Sequence, residues 1–251
     1  MQTELTIDER HRDLIEVEGE DAVTYLQGQL SQDVSGLIVD QPVWSLLLEP
    51  TGKMGAWVRV TRLAQGDRLR IDVDAGAGAA VQARLERFKL RSRLQLTLAL
   101  GDVGGPPGSA RDAAIETARI EAGVPRMGAE ITEDVIPAEL GQWLIDDSVS
   151  FTKGCYTGQE LVARIDSRGG NVPRHLRGLV LAGDQVPPAG AEVVVDDAVV
   201  GAVTSAAHSS ALAAPVALAF IARKIEPPAA AVVRVGSELV TAQIRILPLV
   251  G

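Results

Sequence analysis

The chain has 251 residues, of which 46% are hydrophobic and 23% are charged, a composition typical of a globular protein with a buried core. Its formal net charge of −9 argues against a general nucleic-acid-binding protein, which would normally present a basic face. No run of the sequence approaches the roughly 20 apolar residues of a membrane span. Residues 1–6 lack the basic and apolar regions of a signal peptide, so we expect a cytoplasmic protein.

The single cysteine, Cys155, limits the metal and redox chemistry that the chain could carry. It excludes an intrachain disulfide, and it excludes any zinc or iron–sulfur site built from several cysteines of this chain. We therefore expect no resident metal.

The first hundred residues predict a small antiparallel sheet with helices packed on it. A strand over 11–17 precedes a helix over 22–30, which Asp21 can cap. Alternating apolar residues predict strands over 43–48, 54–63, 69–73 and 94–100, and helical spacing predicts a helix over 79–90. The pair Gly76 and Gly78 resembles part of a dinucleotide fingerprint. Val81 stands where the third glycine should be, so we interpret the pair as a turn.

The second half of the chain predicts helices followed by a small antiparallel barrel. A Gly/Pro-rich linker over 101–108 leads into a helix over 111–122, which Gly123 and Pro125 end. Short apolar strands separated by turns follow, and their spacing is typical of a barrel. These strands are predicted over 176–181, 192–195, 199–204, 216–221, 232–235 and 238–246.

Residues 151–160 combine the cysteine with a predicted helix start. Thr157 and Glu160 have the spacing of a capping box, and a helix reaching to about residue 167 follows. A thiol ahead of a helix N-terminus, with Lys153 nearby, is favoured as thiolate. Most lone cysteines are small buried apolar residues, so the pattern also allows Cys155 to be part of the core.

A basic stretch follows the cysteine segment. A solvated basic edge explains it, but in so acidic a chain it is also where an anionic ligand would bind. Its basic residues, opposed only by Asp166, are Arg164, Arg168, Arg174, His175 and Arg177.

The run Lys-Gly-Cys-Tyr-x-Gly-Gln-Glu, from Lys153 to Glu160, resembles the signature of the YgfZ family, folate-binding proteins of iron–sulfur cluster maintenance. That family belongs to the larger group of the glycine-cleavage aminomethyltransferase (T-protein). Residues 19–34 resemble the opening of YgfZ-like proteins, in which the helix lines the folate pocket. The run Arg119-x-Glu121-x-Gly123 resembles an aminomethyltransferase element whose glutamate receives the pterin. Without the resemblance, Glu121 is only an acid at a helix end.

The resemblance implies an α+β, aminomethyltransferase-like fold in three parts. Residues 1–40 and 109–171 would form a discontinuous folate-binding domain. Residues 41–108 would form a ferredoxin-like insertion, and residues 172–251 a C-terminal antiparallel β-barrel. It also implies a bound tetrahydrofolate or other reduced folate, with Glu121 at the pterin.

The resemblance gives further residues candidate roles. Lys153, Arg164 and Arg174 are candidates for the anionic glutamate tail of the folate, since a carboxylate in a partly dry pocket needs a cation. Cys155 would be a reactive or redox-sensitive thiol near the folate, and Lys153 its cation.

The sequence departs from the aminomethyltransferases at one place. Those enzymes carry a catalytic aspartate soon after the first hairpin turn, whereas residues 50–66 contain no carboxylate here. We therefore expect a folate-binding protein that supports iron–sulfur cluster assembly or repair in client enzymes, including tRNA-modifying ones, without aminomethyltransferase activity. A folate-dependent one-carbon transferase and a scaffold without ligand are the alternatives. Expected partners are a reduced folate and iron–sulfur client or assembly proteins, without direct nucleic-acid or membrane binding.

Overall fold

The computed structural model describes residues 12–64, 67–101, 110–167 and 169–251. Contacts divide the chain into two compact units. The first contains the described residues from 12 to 101 with Ile131–Asp134 and Trp143–Arg164, and the second contains 110–130, Val135–Gln142 and Ile165–Gly251. Residues 102–108 of the predicted linker, and Arg168 of the basic stretch, lie outside the described residues.

The first unit contains, in chain order, β1 (Arg12–Glu18), α1 (Ala22–Gln29), β2 (Val43–Leu48), β3 (Met54–Arg62), β4 (Arg68–Asp74), α2 (Gly78–Lys89) and β5 (Gln95–Ala99). Its strands form a five-stranded antiparallel sheet with the order β2-β3-β4-β1-β5. Strand β1 therefore pairs with β4 on one side and β5 on the other.

Helices α1 and α2 pack against this sheet. Alternate residues of β1, such as Ile15 and Val17, are fully buried, as expected for a strand with one face on a core. The two helices are also joined by a hydrogen bond, since the hydroxyl of Tyr25 donates to the carbonyl of Leu85. Burial raises the pKa of Tyr25 to about 12.

Asp21 occupies the N-cap position of α1, but the prediction that its side chain caps the helix is wrong. Its carboxylate accepts the backbone N–H of Arg93 at 2.7 Å instead, which lowers the pKa of Asp21. A more distant donor has therefore replaced the local one.

The second unit contains a closed six-stranded antiparallel barrel built from β6 (Arg174–Leu181), β7 (Glu192–Val195), β8 (Ala198–Ser209), β9 (Ala214–Ala222), β10 (Ala229–Val235) and β11 (Glu238–Arg245). Their order around the barrel is β10-β11-β6-β9-β8-β7. The other helices of the described residues are α3 (Ala110–Ala122), α4 (Pro137–Leu140), α5 (Gln142–Ser148) and α6 (Gln159–Ser167).

Strand β9 shows why the barrel sequence folds as it does. Ala217, Ala219 and Ile221 belong to the barrel core, and the alternate residues on its other face are also buried. Helix α3 packs on β8 and β9, and α4 packs on β6. A strand covered on both faces is apolar at nearly every position, which matches the continuous apolar run of β9.

The predicted α+β composition and the C-terminal antiparallel barrel are confirmed. Strand β8 is longer than predicted, because residues 205–209 pair with β9 although their sequence does not alternate clearly. Helices α4 and α5 were not predicted. The division into three domains stays a prediction. In the described parts of the chain, every helix lacks the length and apolar character needed to cross a membrane.

Candidate functional site

Cys155 is exposed, and it lies four residues before the start of α6 at Gln159. The interpretation of Cys155 as a buried core residue is therefore wrong. An exposed thiol ahead of a helix is accessible to reagents and partners. Its predicted thiolate character stays a prediction.

Lys153 ties the cysteine segment to the C-terminal end of α1. Its ammonium donates to the carbonyls of Gln27 and Leu30, each at 2.6 Å, and to the carbonyl of Gln32 at 2.9 Å. The last carbonyls of a helix lack partners within the helix and carry its negative dipole end, so a cation is well placed there. Burial lowers the pKa of Lys153 to about 8, against the opposing effect of Asp33.

These three contacts use all three protons of the Lys153 ammonium. A contact with a folate carboxylate or with the Cys155 thiolate would need one of those bonds to be given up. The roles of Lys153 in binding the folate tail and as the cation beside Cys155 stay predictions. The structure shows that its three hydrogen bonds hold residues 151–160 against the end of α1.

The capping box predicted from Thr157 and Glu160 is wrong, because α6 begins at Gln159 and Thr157 is engaged elsewhere. The amide and the hydroxyl of Thr157 both donate to the carbonyl of Gly28, at 3.0 and 3.4 Å. Gly158 has a φ of +81°, and a Cβ there would lie 2.6 Å from the Glu49 carbonyl oxygen. A glycine is therefore required at this turn.

The region without a carboxylate, residues 50–66, begins at the turn between β2 and β3 and includes all of β3. Lys53 at its turn forms an exposed ion pair with Asp134, 3.1 Å from Nζ to Oδ1. In the strand that follows, Met54 and Trp57 are buried, and Trp57 stacks on Trp44 with ring centroids 3.9 Å apart. Packed apolar side chains thus fill the start of β3.

Glu121 lies at the C-terminal end of α3 and is half-buried. Its Oε1 accepts a hydrogen bond from the hydroxyl of Ser209, at the end of β8. Its other carboxylate oxygen makes no hydrogen bond to another residue that the structure describes.

Gly123 has a φ of +75°, and a Cβ there would meet Leu247 at 2.7 Å. The glycine of the Arg-x-Glu-x-Gly run is therefore needed for packing within the second unit.

Arg119 of the same run belongs to a buried ion network. Its guanidinium donates to Glu116 at 2.6 Å and to Glu130 at 3.0 Å. Glu130 is fully buried and also accepts from Thr204 and Ser205, each at 2.6 Å. Although burial opposes it, Arg119 keeps the pKa of Glu116 below its ordinary value. Glu130 was not predicted, because its partners lie up to 75 residues away in the chain.

The predicted tail-binding arginines have different surroundings. Arg174 forms two hydrogen bonds with the buried Glu139, at 3.0 and 3.3 Å, and its guanidinium lies 4.4 Å from the centroid of the Phe220 ring. Arg164 is exposed on α6. Lys153, Cys155 and Arg164 belong to the first unit, whereas Glu121 and Arg174 belong to the second. Their convergence on one cavity stays a prediction.

Comparison with known proteins shows what the chain is similar to. The family model of the glycine-cleavage T-protein C-terminal barrel domain matches residues 174–250. The solved structure of the glycine cleavage system aminomethyltransferase T from Bartonella henselae superposes with a TM-score of 0.76 and 21% identity, over 96% of this chain and 84% of that one. The chain therefore has the aminomethyltransferase fold, as predicted.

Sequence relatives include proteins of three kinds. An uncharacterized protein of Haemophilus influenzae is 32% identical over an aligned length of 188, and the match covers 63% of this chain and 67% of the relative. The aminomethyltransferase of Streptomyces avermitilis is 37% identical over an aligned length of 135, and the match covers 51% of this chain and 34% of the enzyme. A mitochondrial iron–sulfur cluster assembly factor, an IBA57 homologue of Mycosarcoma maydis, is 27% identical over an aligned length of 213, and the match covers 63% of this chain and 53% of the factor.

The match thus spans about a third of the length of that aminomethyltransferase and about half of that of the assembly factor. The fold and the barrel match define the class as aminomethyltransferase-like proteins. The chain belongs to the superfamily of the glycine-cleavage T-protein.

Proposed function

We propose that the chain is a folate-binding protein of the YgfZ type. It supports iron–sulfur cluster assembly or repair in client enzymes, including tRNA-modifying ones, and does not transfer aminomethyl groups. The observation that carries this proposal is the segment from Lys153 to Glu160, where the lone thiol is exposed on a backbone fixed by three lysine hydrogen bonds. The similarity to an iron–sulfur cluster assembly factor supports the same function.

The surroundings of Glu121 fit a pterin. A pterin presents an amino group beside a ring N–H, and a carboxylate can accept from such donors. Glu121 is half-buried, and one of its carboxylate oxygens has no hydrogen-bond partner among the described residues. Glu121 would therefore hold the pterin ring.

The three cations proposed for the folate tail differ in their present contacts and exposure. Lys153 and Arg174 already bind acceptors of the protein, so each would have to exchange a bond to hold a carboxylate. Arg164 is exposed on α6 and lies outside any buried setting. All three stay candidates for the tail.

The hairpin favours a binding role over aminomethyl transfer. Residues 50–66 contain no carboxylate, and the strand after the turn is occupied by buried apolar side chains such as Met54 and Trp57. A carboxylate introduced among those side chains would lose its hydration without a partner. The aminomethyltransferase relatives keep a one-carbon transferase as the second candidate function.

Titration of the chain with tetrahydrofolate tests folate binding directly. We expect saturable heat and a rise in melting temperature, and we expect Glu121→Gln to weaken binding by roughly 10- to 100-fold because hydrogen bonds to a charged acceptor are lost. Glu238→Gln, which neutralises an exposed carboxylate of β11, is the matched control and should bind like the parent. An unchanged affinity of Glu121→Gln would contradict the assigned role of Glu121, and no binding by the parent would favour a scaffold without ligand.

Assays of turnover and of client enzymes separate the remaining functions. With glycine-cleavage partner proteins and tetrahydrofolate, we expect no methylene transfer above background, and turnover would favour the transferase. In cells that lack the protein, activity of iron–sulfur enzymes should fall. The parent and Glu238→Gln should restore it, whereas Glu121→Gln and Cys155→Ser should not. Full restoration by both site variants would contradict the proposed function.

A further inference from the structure

Two polar residues of β6 share the face that forms the barrel core. Successive side chains of a strand point to opposite faces, so His175 and Arg177 lie on the same face as the core residues Leu179 and Leu181. In the ladder with β9, Arg177 is opposite Ala219, and His175 is opposite Ile221. Since Ala219 and Ile221 also belong to the core, the core face becomes polar at the end of the barrel where β6 begins.

Arg177 uses few of its hydrogen-bond donors within the protein. It is half-buried, and burial lowers its pKa despite the favourable effect of Glu226. Its guanidinium makes one hydrogen bond to the described part of the chain, from Nη1 to the carbonyl of Leu176 at 3.3 Å. No carboxylate of the described residues lies within ion-pair distance of it. A guanidinium carries five N–H donors, so most of them are available.

Two neighbouring side chains add hydrogen-bond donors, and of these only Arg223 adds a fixed positive charge. The His175 ring makes no hydrogen bond to a described residue, and burial and the charges of Arg177 and Arg223 lower its pKa, which favours the neutral ring. Arg223 follows the end of β9, and its backbone N–H donates to the carbonyl of Pro173, immediately before β6. Its side chain donates to Asn171.

Two acidic residues among those described act on this end of the barrel. Glu226 is exposed and follows Ile225, which packs against the barrel core. Glu226 acts on both Arg177 and His175 electrostatically. Glu139 also acts on His175, but it is already bound to Arg174. The unpaired charge at this end is therefore positive, in a chain whose net charge is −9.

We propose that Arg177, His175 and Arg223 form a binding site for a small oxyanion, a carboxylate or a phosphate group, at the end of the barrel where β6 begins. The planar fork of Arg177 matches two oxygens of either group. Arg177 and His175 are half-buried and Arg223 is exposed, so the interaction with Arg177 is strengthened relative to open water. Glu226 limits the affinity by repulsion and would favour a compact anion. This site is independent of the proposed folate function.

Titration of the full chain with inorganic phosphate and, separately, with glutarate tests the site. The ionic strength is held constant with sodium chloride, and the ring signal of His175 is followed by NMR, with His175→Gln for its assignment. We expect a saturable shift with at least one anion, and a higher pKa of His175 when that anion is bound. The anion that saturates defines the chemistry as phosphate, carboxylate or both. Non-saturating shifts with both would overturn the proposal.

Three further variants separate a site from a general effect of charge. Arg177→Gln should weaken anion binding at least tenfold. Arg177→Lys keeps the charge but not the planar fork, so its affinity should lie between those of Arg177→Gln and the parent. Glu226→Gln changes only an exposed side chain and should tighten binding severalfold. Arg234→Gln is the matched control, since Arg234 is a barrel arginine already paired with Glu192 at 3.1 Å. Equal weakening by Arg177→Gln and Arg234→Gln, or no tightening by Glu226→Gln, would contradict the site.

Discussion

The two units each contain a half-buried cation, and the two cations differ in how the protein uses them. In the first unit, Lys153 donates all three of its protons to the carbonyls around the end of α1. In the second, Arg177 makes a single hydrogen bond, to the carbonyl of Leu176. A half-buried cation whose donors are all used contributes to stability through those bonds, whereas one with unused donors contributes less to the fold and keeps donors for a ligand.

The difference predicts unequal losses of stability, and this is the largest expected effect. Lys153→Met should lower the free energy of unfolding by about 2–3 kcal/mol, because three backbone carbonyls lose a charged donor. Arg177→Met should change it by less than about 1 kcal/mol, because one long hydrogen bond is exchanged for apolar packing. Urea unfolding of both variants measures the difference.

Lys53→Met is the matched control for this comparison, because Lys53 belongs to the same unit as Lys153 and forms an exposed ion pair with Asp134. It should cost about 0–1 kcal/mol. Equal losses of unfolding free energy for Lys153→Met and Lys53→Met would show that the three carbonyl contacts of Lys153 stabilise the fold no more than an exposed ion pair. The predicted difference between Lys153 and Arg177 would then be wrong.

The pH dependence of stability sharpens the same contrast. Lys153 has a pKa of about 8 in the folded protein and its ordinary value of 10.5 in the unfolded chain. Between these values the unfolded chain binds more protons, so Lys153 makes the free energy of unfolding rise with pH. Tyr25 and Tyr156, whose pKa values are raised to about 12, act in the opposite direction above pH 10.

Urea unfolding at intervals from pH 7 to pH 10 measures this slope. The difference between the parent and Lys153→Met isolates the contribution of Lys153, because all other groups are shared. We expect the destabilisation by Lys153→Met to grow as the pH rises. A difference that stays constant over this range would show that Lys153 titrates alike in the folded and unfolded chains.

The smallest expected effect concerns Cys155, on the segment that Lys153 holds. Because Cys155 is exposed, Cys155→Ser should change the free energy of unfolding by less than about 0.5 kcal/mol. Alkylation by iodoacetamide should go to completion in the folded parent without denaturant. A thiol that reacts only after unfolding would contradict its exposed position.

The sequence predicted most of the regular elements because their apolar patterns are local. Strands β2 and β7 have the predicted bounds, and the helix over 111–122 differs from α3 by one residue. Helices α4 and α5 were missed because they are only 4 and 7 residues long, too short for a clear period.

Contacts between distant residues explain what the sequence could not predict. Asp21 binds Arg93 rather than its own helix, and Thr157 binds Gly28, 129 residues away. The carbonyls that surround Lys153 are 121 to 126 residues from it. A local pattern identified Lys153 and Cys155, and the family resemblance identified Glu121, but the hydrogen-bond partners of Lys153 and Glu121 depend on tertiary structure. More of the fold than of the candidate site could therefore be predicted from the sequence.

The position of β1 in its sheet has a consequence for the order in which the first unit forms. Strand β1 is synthesised before its neighbours, yet its partners β4 and β5 end only at Asp74 and Ala99. Pairing between strands so far apart in the chain slows folding, because the entropy of closing a large loop is lost before the hydrogen bonds between the strands form. During synthesis, β1 would therefore stay unpaired until most of the unit had left the ribosome. Its apolar residues would be exposed during that time, and exposed apolar residues are what chaperones bind.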